Sequence, residues 1–300
     1  MIRSQSIENQ LTEQKSYSLF QDISMLVKLR LSSIVVFSAG IGYAMAVGSG
    51  FLWNEMALLL LGGLLVTASA NAINEVIERD TDAVMDRTKV RPLPAGRMRL
   101  ATAALIAGTM GVVGVSILWF AFGPVSALLG ALALLSYAFI YTPLKRISPI
   151  AVFVGAFPGA LPPLIGWTAA TGAIESGALV LFAIQFFWQF PHFWAIAWLA
   201  KDDYAKAGFQ LMPDSSGRSK TSALYVVLYT AVLVPIGILP LLVGMSGVIS
   251  AVITALAGAV FTWQAIVLYR TLDMSKARAL MFGSFIYLPV VFAALVIDKL

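Results

Sequence analysis

Directly after a hydrophobic run the chain reads Asn74-Glu75-Val76-Ile77-Glu78-Arg79-Asp80-Thr81-Asp82, and then Arg87-Thr88-Lys89-Val90-Arg91-Pro92-Leu93-Pro94-Ala95-Gly96. In a helix continuing from the preceding run, Asn74, Glu78 and Asp82 recur every four residues along one face, with Asp86 one turn further. Exposed like charges at that spacing repel by about 0.2–0.5 kcal/mol per pair, so an ordinary helix gains nothing from them. A divalent cation reverses that balance. Oxygen-only ligands suit Mg2+, which keeps several waters and is commonly shared between one or two carboxylates and a substrate's phosphates. Arg87, Lys89 and Arg91 could hold such a phosphate from the other side. The bland alternative is a solvated loop of mixed charge.

The elements that position this cluster must lie in a membrane. The chain has 300 residues, of which 59% are hydrophobic and only 12% charged, far outside soluble usage. It has no Cys, which removes disulfides and thiolate metal sites, and its one His excludes a multi-histidine site. Residues 1–22 are polar and mixed in charge, and the first long apolar run begins near Leu31, which argues against a cleavable signal peptide. The expected organisation is a loose polar tail over 1–23 followed by one membrane domain over 24–300.

Apolar runs long enough to cross a bilayer fall near 24–47, 54–75, 100–120, 123–141, 149–170, 176–200, 222–243, 246–269 and 278–297. Nine transmembrane helices are therefore expected. Basic residues collect on one side of that map: 19 of the 20 Lys and Arg fall on the N-terminal side, up to Arg30 at the start of the first run, or in and beside the loops after the second, fourth, sixth and eighth. Lys and Arg accumulate in the cytoplasm, so the N-terminus is expected there and the C-terminus, with Lys299, outside. The net charge of +5 then reflects orientation and anion binding, and nucleic acid is not an expected partner.

Two long cytoplasmic loops carry acids, at about 74–99 and 200–221. The second reads Lys201-Asp202-Asp203-Tyr204-Ala205-Lys206-Ala207-Gly208. Its place four helices after the first suggests a pseudo-repeat of a four-helix unit. Asp202 and Asp203 either add to a metal site or merely cap and solvate a helix end.

The sixth run carries Gln185, Gln189 and His192 at i, i+4 and i+7, a polar stripe descending into the membrane. Polar side chains at that depth usually face a bundle interior or a cavity. His192 lies roughly 13 Å below Lys201, and Pro191 beside it removes a backbone donor. Either His192 meets a substrate, as a ligand to iron or a proton carrier, or it makes an interhelical hydrogen bond. After the fourth run, Tyr141-Thr142-Pro143-Leu144-Lys145-Arg146 should stop the helix at Pro143 and set two bases at the membrane surface, as anchors or as an anion site.

Together these residues resemble the UbiA-type intramembrane prenyltransferases. Asn74-Glu75-x-x-Glu78-x-x-x-Asp82 is similar to that family's first aspartate-rich signature, Asn-Asp-x-x-Asp-x-x-x-Asp, and Arg87-Thr88-x-x-Arg91-Pro92-Leu93-Pro94-x-Gly96 to its usual extension. Tyr141-x-x-x-Lys145-Arg146 looks like the family's tyrosine and basic pair after the fourth helix. The family also has nine helices. The chain departs from it in carrying Glu75 and Glu78 for Asp, and in offering adjacent Asp202 and Asp203 where an Asp-x-x-x-Asp is usual. Those departures, with Phe187-Trp188-Gln189-Phe190-Pro191-His192-Phe193-Trp194, resemble the branch whose acceptor is a haem.

The resemblance implies farnesyl transfer from farnesyl diphosphate to a vinyl group of haem B, with addition of water. It implies Mg2+ on Asn74, Glu78 and Asp82 with Asp202 or Asp203 completing the clamp, and diphosphate on Arg87, Lys89, Arg91, Lys145 and Arg146. His192, with Gln189, would meet the haem. The expected setting is a bacterial-type cytoplasmic membrane with the site facing the cytoplasm, and a haem-copper terminal oxidase or haem A synthase as user of the product. A quinone-pathway prenyltransferase of the same family and a secondary transporter are the alternatives. The first should show a fuller second Asp motif, and the second has no need of a carboxylate cluster beside an Arg-rich loop.

Overall fold

The computed structural model describes residues 17–48, 50–214 and 216–300. Nearly all of the expected loose tail lies outside the described residues. The described residues are almost entirely helical, and nine of their helices are long and apolar enough to span a bilayer. No extended strand occurs among them; the sole β-type pairing is an isolated bridge between Ser246 and Lys299. Backbone groups facing lipid have no partner but each other, which is why an apolar chain of this length resolves into helices.

The elements are α1 (Leu19–Leu26), α2 (Leu29–Ala46), α3 (Trp53–Ile77), α4 (Arg79–Val84), α5 (Leu100–Phe122) and α6 (Pro124–Leu135), the last prolonged by a π-helical stretch (Ser136–Tyr141) and one more turn (Thr142–Leu144). Then come α7 (Ala151–Thr171), α8 (Ser176–Leu199), α9 (Lys201–Lys206), α10 (Lys220–Ile236), α11 (Val248–Thr271) and α12 (Met274–Ile297). The first expected span is shorter than its apolar run. The chain breaks between α1 and α2, where Lys28 takes a left-handed backbone (φ +47°) rather than continuing the helix. Asp22 of α1 accepts from Arg97 at 2.8 Å, tying that short helix to the loop that follows α4.

Neighbouring helices pack in sequence order, with α2 also against α7 and α8 also against α12. Small residues let α2 and α7 approach to backbone contact: a Cβ on Gly42 would lie 1.9 Å from the Pro163 carbonyl oxygen. One apolar core gathers α2, α3, α5, α6 and α7, a second α8, α10, α11 and α12. At the end opposite the acidic cluster, Asp298 accepts from the Ser250 amide at 2.7 Å and Lys299 donates to the carbonyls of Ala44 and Val47. The last two charges thus cap the start of α11 and the end of α2.

Candidate active site

Asn74, Glu75, Glu78 and Asp82 are all buried at the end of α3 and in α4. The helix is interrupted only at Glu78, whose dihedrals (φ −90°, ψ 7°) shift the axis without breaking the ladder. Glu78 N donates to Asn74 O at 2.9 Å and Asp82 N to Glu78 O at 2.7 Å. The expected common face therefore survives through Asp82 and ends there. Asp86 lies beyond α4, with its side chain 65% exposed and paired with Lys89 at 2.7 Å.

Buried carboxylates are tolerable only with partners, and two cations supply them. Lys145 Nζ stands 2.7 Å from Glu78 Oε1, Arg91 Nη1 donates to Asp82 Oδ2 at 2.7 Å, and Arg91 Nε lies 3.3 Å from Glu75 Oε1. Lys28 Nζ donates to Asn74 Oδ1 at 2.7 Å, and Asn74 Nδ2 donates to Thr142 Oγ1 at 3.1 Å. Burial, reinforced by the nearby Arg91 charge and opposed by Glu75 and Glu78, pushes Lys28 down to about 7. Three acids thus lie among three basic residues in a buried chamber-like cluster beside the two acidic loops. Among the described residues, Glu75 Oε1 and Glu78 Oε1 are met only by these ion pairs, and Glu75 Oε2 is buried with neither a hydrogen bond nor an ion pair.

Lys145 departs from its expected place. The helix does end at Pro143 to within a residue, at Leu144, but the π-helical stretch before it turns the chain so that Lys145 is 7% exposed and faces α3, while Arg146 stays outside. π-Helical turns often sit at functional positions because the extra residue re-aims side chains. Lys145 Nζ lies 4.7 Å from the Tyr141 ring centroid and 5.5 Å from that of Phe209.

The second loop repeats the geometry of the first but not its chemistry. Ala200 joins α8 to α9 with φ −95° and ψ 10°, close to the Glu78 joint, and carries the same ladder: Ala200 N to Ile196 O, then Tyr204 N to Ala200 O, both 2.9 Å. This matching joint fits the expected pseudo-repeat. In that register Asn74, Glu78 and Asp82 correspond to Ile196, Ala200 and Tyr204, which carry no ligand oxygen suited to Mg2+. Asp202 and Asp203 occupy other positions. Asp202, 81% exposed, pairs with Arg218 at 3.0 Å; Asp203 accepts from the Asp86 and Arg87 amides at 2.9 and 3.4 Å. Hydrogen bonding to its charged form holds Asp203 below the usual carboxylate range. The structure brings neither acid to Asn74, Glu78 and Asp82, and among the described residues no three acidic or His side chains converge as a ready metal cage. Arg87 and Lys89 are likewise at the surface, Arg87 lying 5.9 Å from the Tyr204 ring centroid.

The polar stripe on α8 divides. Gln185 Nε2 donates at 2.7 Å to the Gly159 carbonyl, which Pro163 leaves without its usual amide partner four residues on. Gln189 Nε2 donates to Ala156 O at 3.0 Å and is 4% exposed. Both glutamines therefore serve the proline-rich α7, and Gln189 is not placed beside His192 on a common partner. His192 turns instead to α12, with Nδ1 2.8 Å from Ser284 Oγ and its ring stacked on Trp188 at 4.7 Å. Ser284 Oγ also lies 2.5 Å from Met281 O, and with its one hydroxyl proton directed there Nδ1–H would donate to Oγ and Nε2 would keep its lone pair. That is the tautomer a metal ligand requires.

With this geometry in view, comparison with known proteins is decisive. Residues 35–288 match the model of the UbiA prenyltransferase family. The chain belongs to that family. A protoheme IX farnesyltransferase of Cytophaga hutchinsonii is 48% identical, the match covering 94% of this chain and 99% of that one. The enzyme of the same name from Christiangramia forsetii is 40% identical, covering 98% of each chain. Among solved structures, a UbiA homologue from Archaeoglobus fulgidus bound to GPP and Mg2+ superposes with a TM-score of 0.70 at 15% identity, covering 91% of this chain and 99% of that one. A structure from work on digeranylgeranylglyceryl phosphate synthase gives 0.78 at 16%, covering 93% and 98%. At such identities these two establish the shared fold. The protein is a multi-pass membrane prenyltransferase of the UbiA family.

Within the family frame, sequence reading missed Lys28 and Thr142 as members of the chamber and left Glu75 without a role. Lys28 carried no signal in spacing, because its approach to Asn74 depends on the left-handed turn before α2. Glu75 was visible inside the motif, but a face drawn at four-residue intervals passes it by.

Proposed function

We propose that the protein transfers the farnesyl group of farnesyl diphosphate to a vinyl group of haem B with addition of water, giving haem O and diphosphate. The observation that carries this is the buried chamber in which Glu75, Glu78 and Asp82 alternate with Lys28, Arg91 and Lys145. The names of relatives matched over nearly their whole length support the haem acceptor.

A hard divalent cation fits the donor set. The cluster offers only oxygens from Asn74, Glu75, Glu78 and Asp82 as ligands, and Glu75 Oε2 among them is buried with neither a hydrogen bond nor an ion pair. Mg2+ held by Asn74, Glu78 and Asp82 would neutralise diphosphate charge and orient the leaving group. The remaining work falls to the chain. As the bond between farnesyl C1 and oxygen breaks, its electron pair leaves with the diphosphate, and Arg91, Lys145 and Lys28, with Arg87 from the first loop, meet the growing negative charge. Preorganised charges of this kind cost no reorganisation at the moment of reaction. The vinyl π pair then bonds its terminal carbon to farnesyl C1, and the positive charge moves to the vinyl carbon next to the porphyrin. Water adds at that carbon and loses a proton to solvent. His192 Nε2 holds the haem iron in this reading. The chamber faces the cytoplasm of a bacterial-type inner membrane, with the C-terminus outside, and a haem-copper oxidase or haem A synthase takes the product.

The test is to incubate purified protein with haem B, farnesyl diphosphate and Mg2+ and weigh the extracted porphyrins. The expected product is a haem heavier by one farnesyl group plus one hydroxyl, C15H26O in all. Unchanged haem beside prenylation of an aromatic acid supplied in parallel refutes the acceptor. For His192, His192→Ala should lose the haem absorbance change while farnesyl diphosphate binding persists; an unaltered haem spectrum sinks the iron contact.

A further inference from the structure

The second cytoplasmic loop touches two of the cations assigned to the diphosphate, and it does so without reaching the acidic chamber. Asp203 Oδ1 and Oδ2 accept the amides of Asp86 and Arg87. Lys206 Nζ bridges Asp86 and Asp203, lying 3.3 Å from the latter, and Lys89 closes on Asp86 from the other side at 2.7 Å. The Tyr204 ring stands beneath the Arg87 guanidinium. Further along the same loop, Gln210 N donates to the Lys145 carbonyl at 2.8 Å, and Phe209 offers its ring to Lys145 Nζ. Residues 203–210 therefore hold the backbone of Arg87 at one end and of Lys145 at the other, and set an aromatic ring against the cationic group of each.

The register of the two loops explains why this segment is suited to that role. Ile196, Ala200 and Tyr204 replace the liganding face of the first loop, so the repeat keeps the helix, joint and short helix but has lost the metal-binding side. Its acids are turned to the first loop's backbone and to cations.

We propose that the second loop is a positioning clamp: Asp203, with the Lys206–Asp86 ion pair, holds the Arg87 segment over the chamber, so that Arg87 and Lys145 keep a fixed separation for the two ends of a diphosphate. Asp86, Asp203 and Lys206 are positioning residues and touch no substrate. The proposal rests on the reading that Arg87 and Lys145 receive the diphosphate, and its test separates the two.

The variants are Lys206→Met, Asp86→Asn, the pair combined, Lys206→Arg and Asp203→Asn, in the full-length protein in detergent. The first readout is hydrogen exchange of the peptide spanning 84–91, which needs no substrate. Exchange at Asp86 and Arg87 should quicken in Lys206→Met and in Asp203→Asn, and return to the wild-type rate in Lys206→Arg. The second is steady-state kinetics with farnesyl diphosphate. Lys206→Met and Asp86→Asn should each raise KM roughly three- to tenfold with kcat held within about twofold, and the double variant should be no worse than the poorer single, as for two groups acting as one. Lys206→Arg should restore KM. Unchanged exchange in both Lys206→Met and Asp203→Asn overturns the clamp, and so does faster exchange with unaltered KM. Loss of Mg2+-dependent binding in Asp203→Asn with normal exchange makes Asp203 a metal ligand and also overturns it. If the wild-type protein forms no haem product, the functional reading fails by itself. The clamp is then judged on inorganic diphosphate affinity by calorimetry, which must weaken in Lys206→Met for it to stand.

Discussion

Lys145 is the residue whose removal separates holding the fold from stabilising the leaving group. It is buried, and its Nζ stands 2.7 Å from Glu78 Oε1. At an effective dielectric near 20 that contact is worth about 6 kcal/mol of gross attraction, most of it offset by the desolvation of both groups. Lys145→Met leaves Glu78 buried without its partner, and breaking such a pair from one side costs about 3–5 kcal/mol. Glu78→Gln combined with Lys145→Met leaves no orphaned charge and should recover most of that stability, read as the thermal midpoint in detergent. Activity obeys a different ledger. One preorganised donor aimed at developing charge is worth about 2.7–4 kcal/mol, so Lys145→Met should lower kcat roughly hundred- to thousandfold, measured at a temperature where every variant is folded. Lys145→Arg keeps the cation and should lose far less. The reasoning is refuted if Lys145→Met shows the expected drop in thermal midpoint but keeps kcat within about threefold of wild type, for Lys145 would then serve Glu78 alone.

Other consequences follow from single contacts. Ser284→Ala removes the acceptor that fixes the His192 tautomer, and haem affinity by optical titration should weaken about 10- to 100-fold, the usual range for a lost outer-shell partner. Gln185→Leu strands the Gly159 carbonyl freed by Pro163, with an expected loss of about 1–3 kcal/mol in unfolding experiments. Gly42→Ala drives a methyl into the Pro163 carbonyl and should destabilise the α2–α7 contact by at least about 1–3 kcal/mol; a melting temperature within error of wild type would refute that packing. The Asp86–Lys206 clasp should respond to salt but not to pH between about 5 and 9. Hydrogen bonds from Lys206 and Lys89 lower Asp86 to about 2, so its contribution is complete above the unfolded value of about 3.9 and fades only as pH falls through about 2. The Asp86 hydrogen bond raises Lys206, whose contribution is complete below its unfolded value of about 10.4 and fades only above that. The KM ratio of Lys206→Met to wild type should therefore stay flat over that pH range and shrink toward one as ionic strength rises.

The spans were legible because a bilayer leaves so few solutions: an apolar run of about 20 residues between basic loops has to be a helix. The face Asn74–Glu78–Asp82 was legible because four-residue spacing survives even the Glu78 joint. What could not be read depended on local departures from ideal helices. The left-handed Lys28 sends a cation into the chamber. The π-helical stretch after Leu135 sends Lys145 inward and Arg146 outward, although the two are adjacent in sequence. Pro163 redirects Gln185, and with it half of a polar stripe, to a backbone debt on the neighbouring helix.

The two loops show how little spacing alone decides about a metal site. Both follow a long helix, pass through one residue near φ −90°, continue for six helical residues and contain acids. Composition alone would credit each with the same chemistry. The difference lies in phase: in the first loop the acids fall on the face that continues inward from Asn74, whereas in the second that face reads Ile196, Ala200 and Tyr204. Asp202 and Asp203 are two and one residues out of place for a ligand pointing into the chamber, and in a helix of 3.6 residues per turn that is a rotation of about 160° for Asp202, counted from Tyr204, and about 100° for Asp203. Such a rotation is enough to turn a carboxylate from a metal toward another loop's backbone amides. One active chamber facing one supporting loop, instead of two equivalent sites, is the arrangement this phase difference imposes.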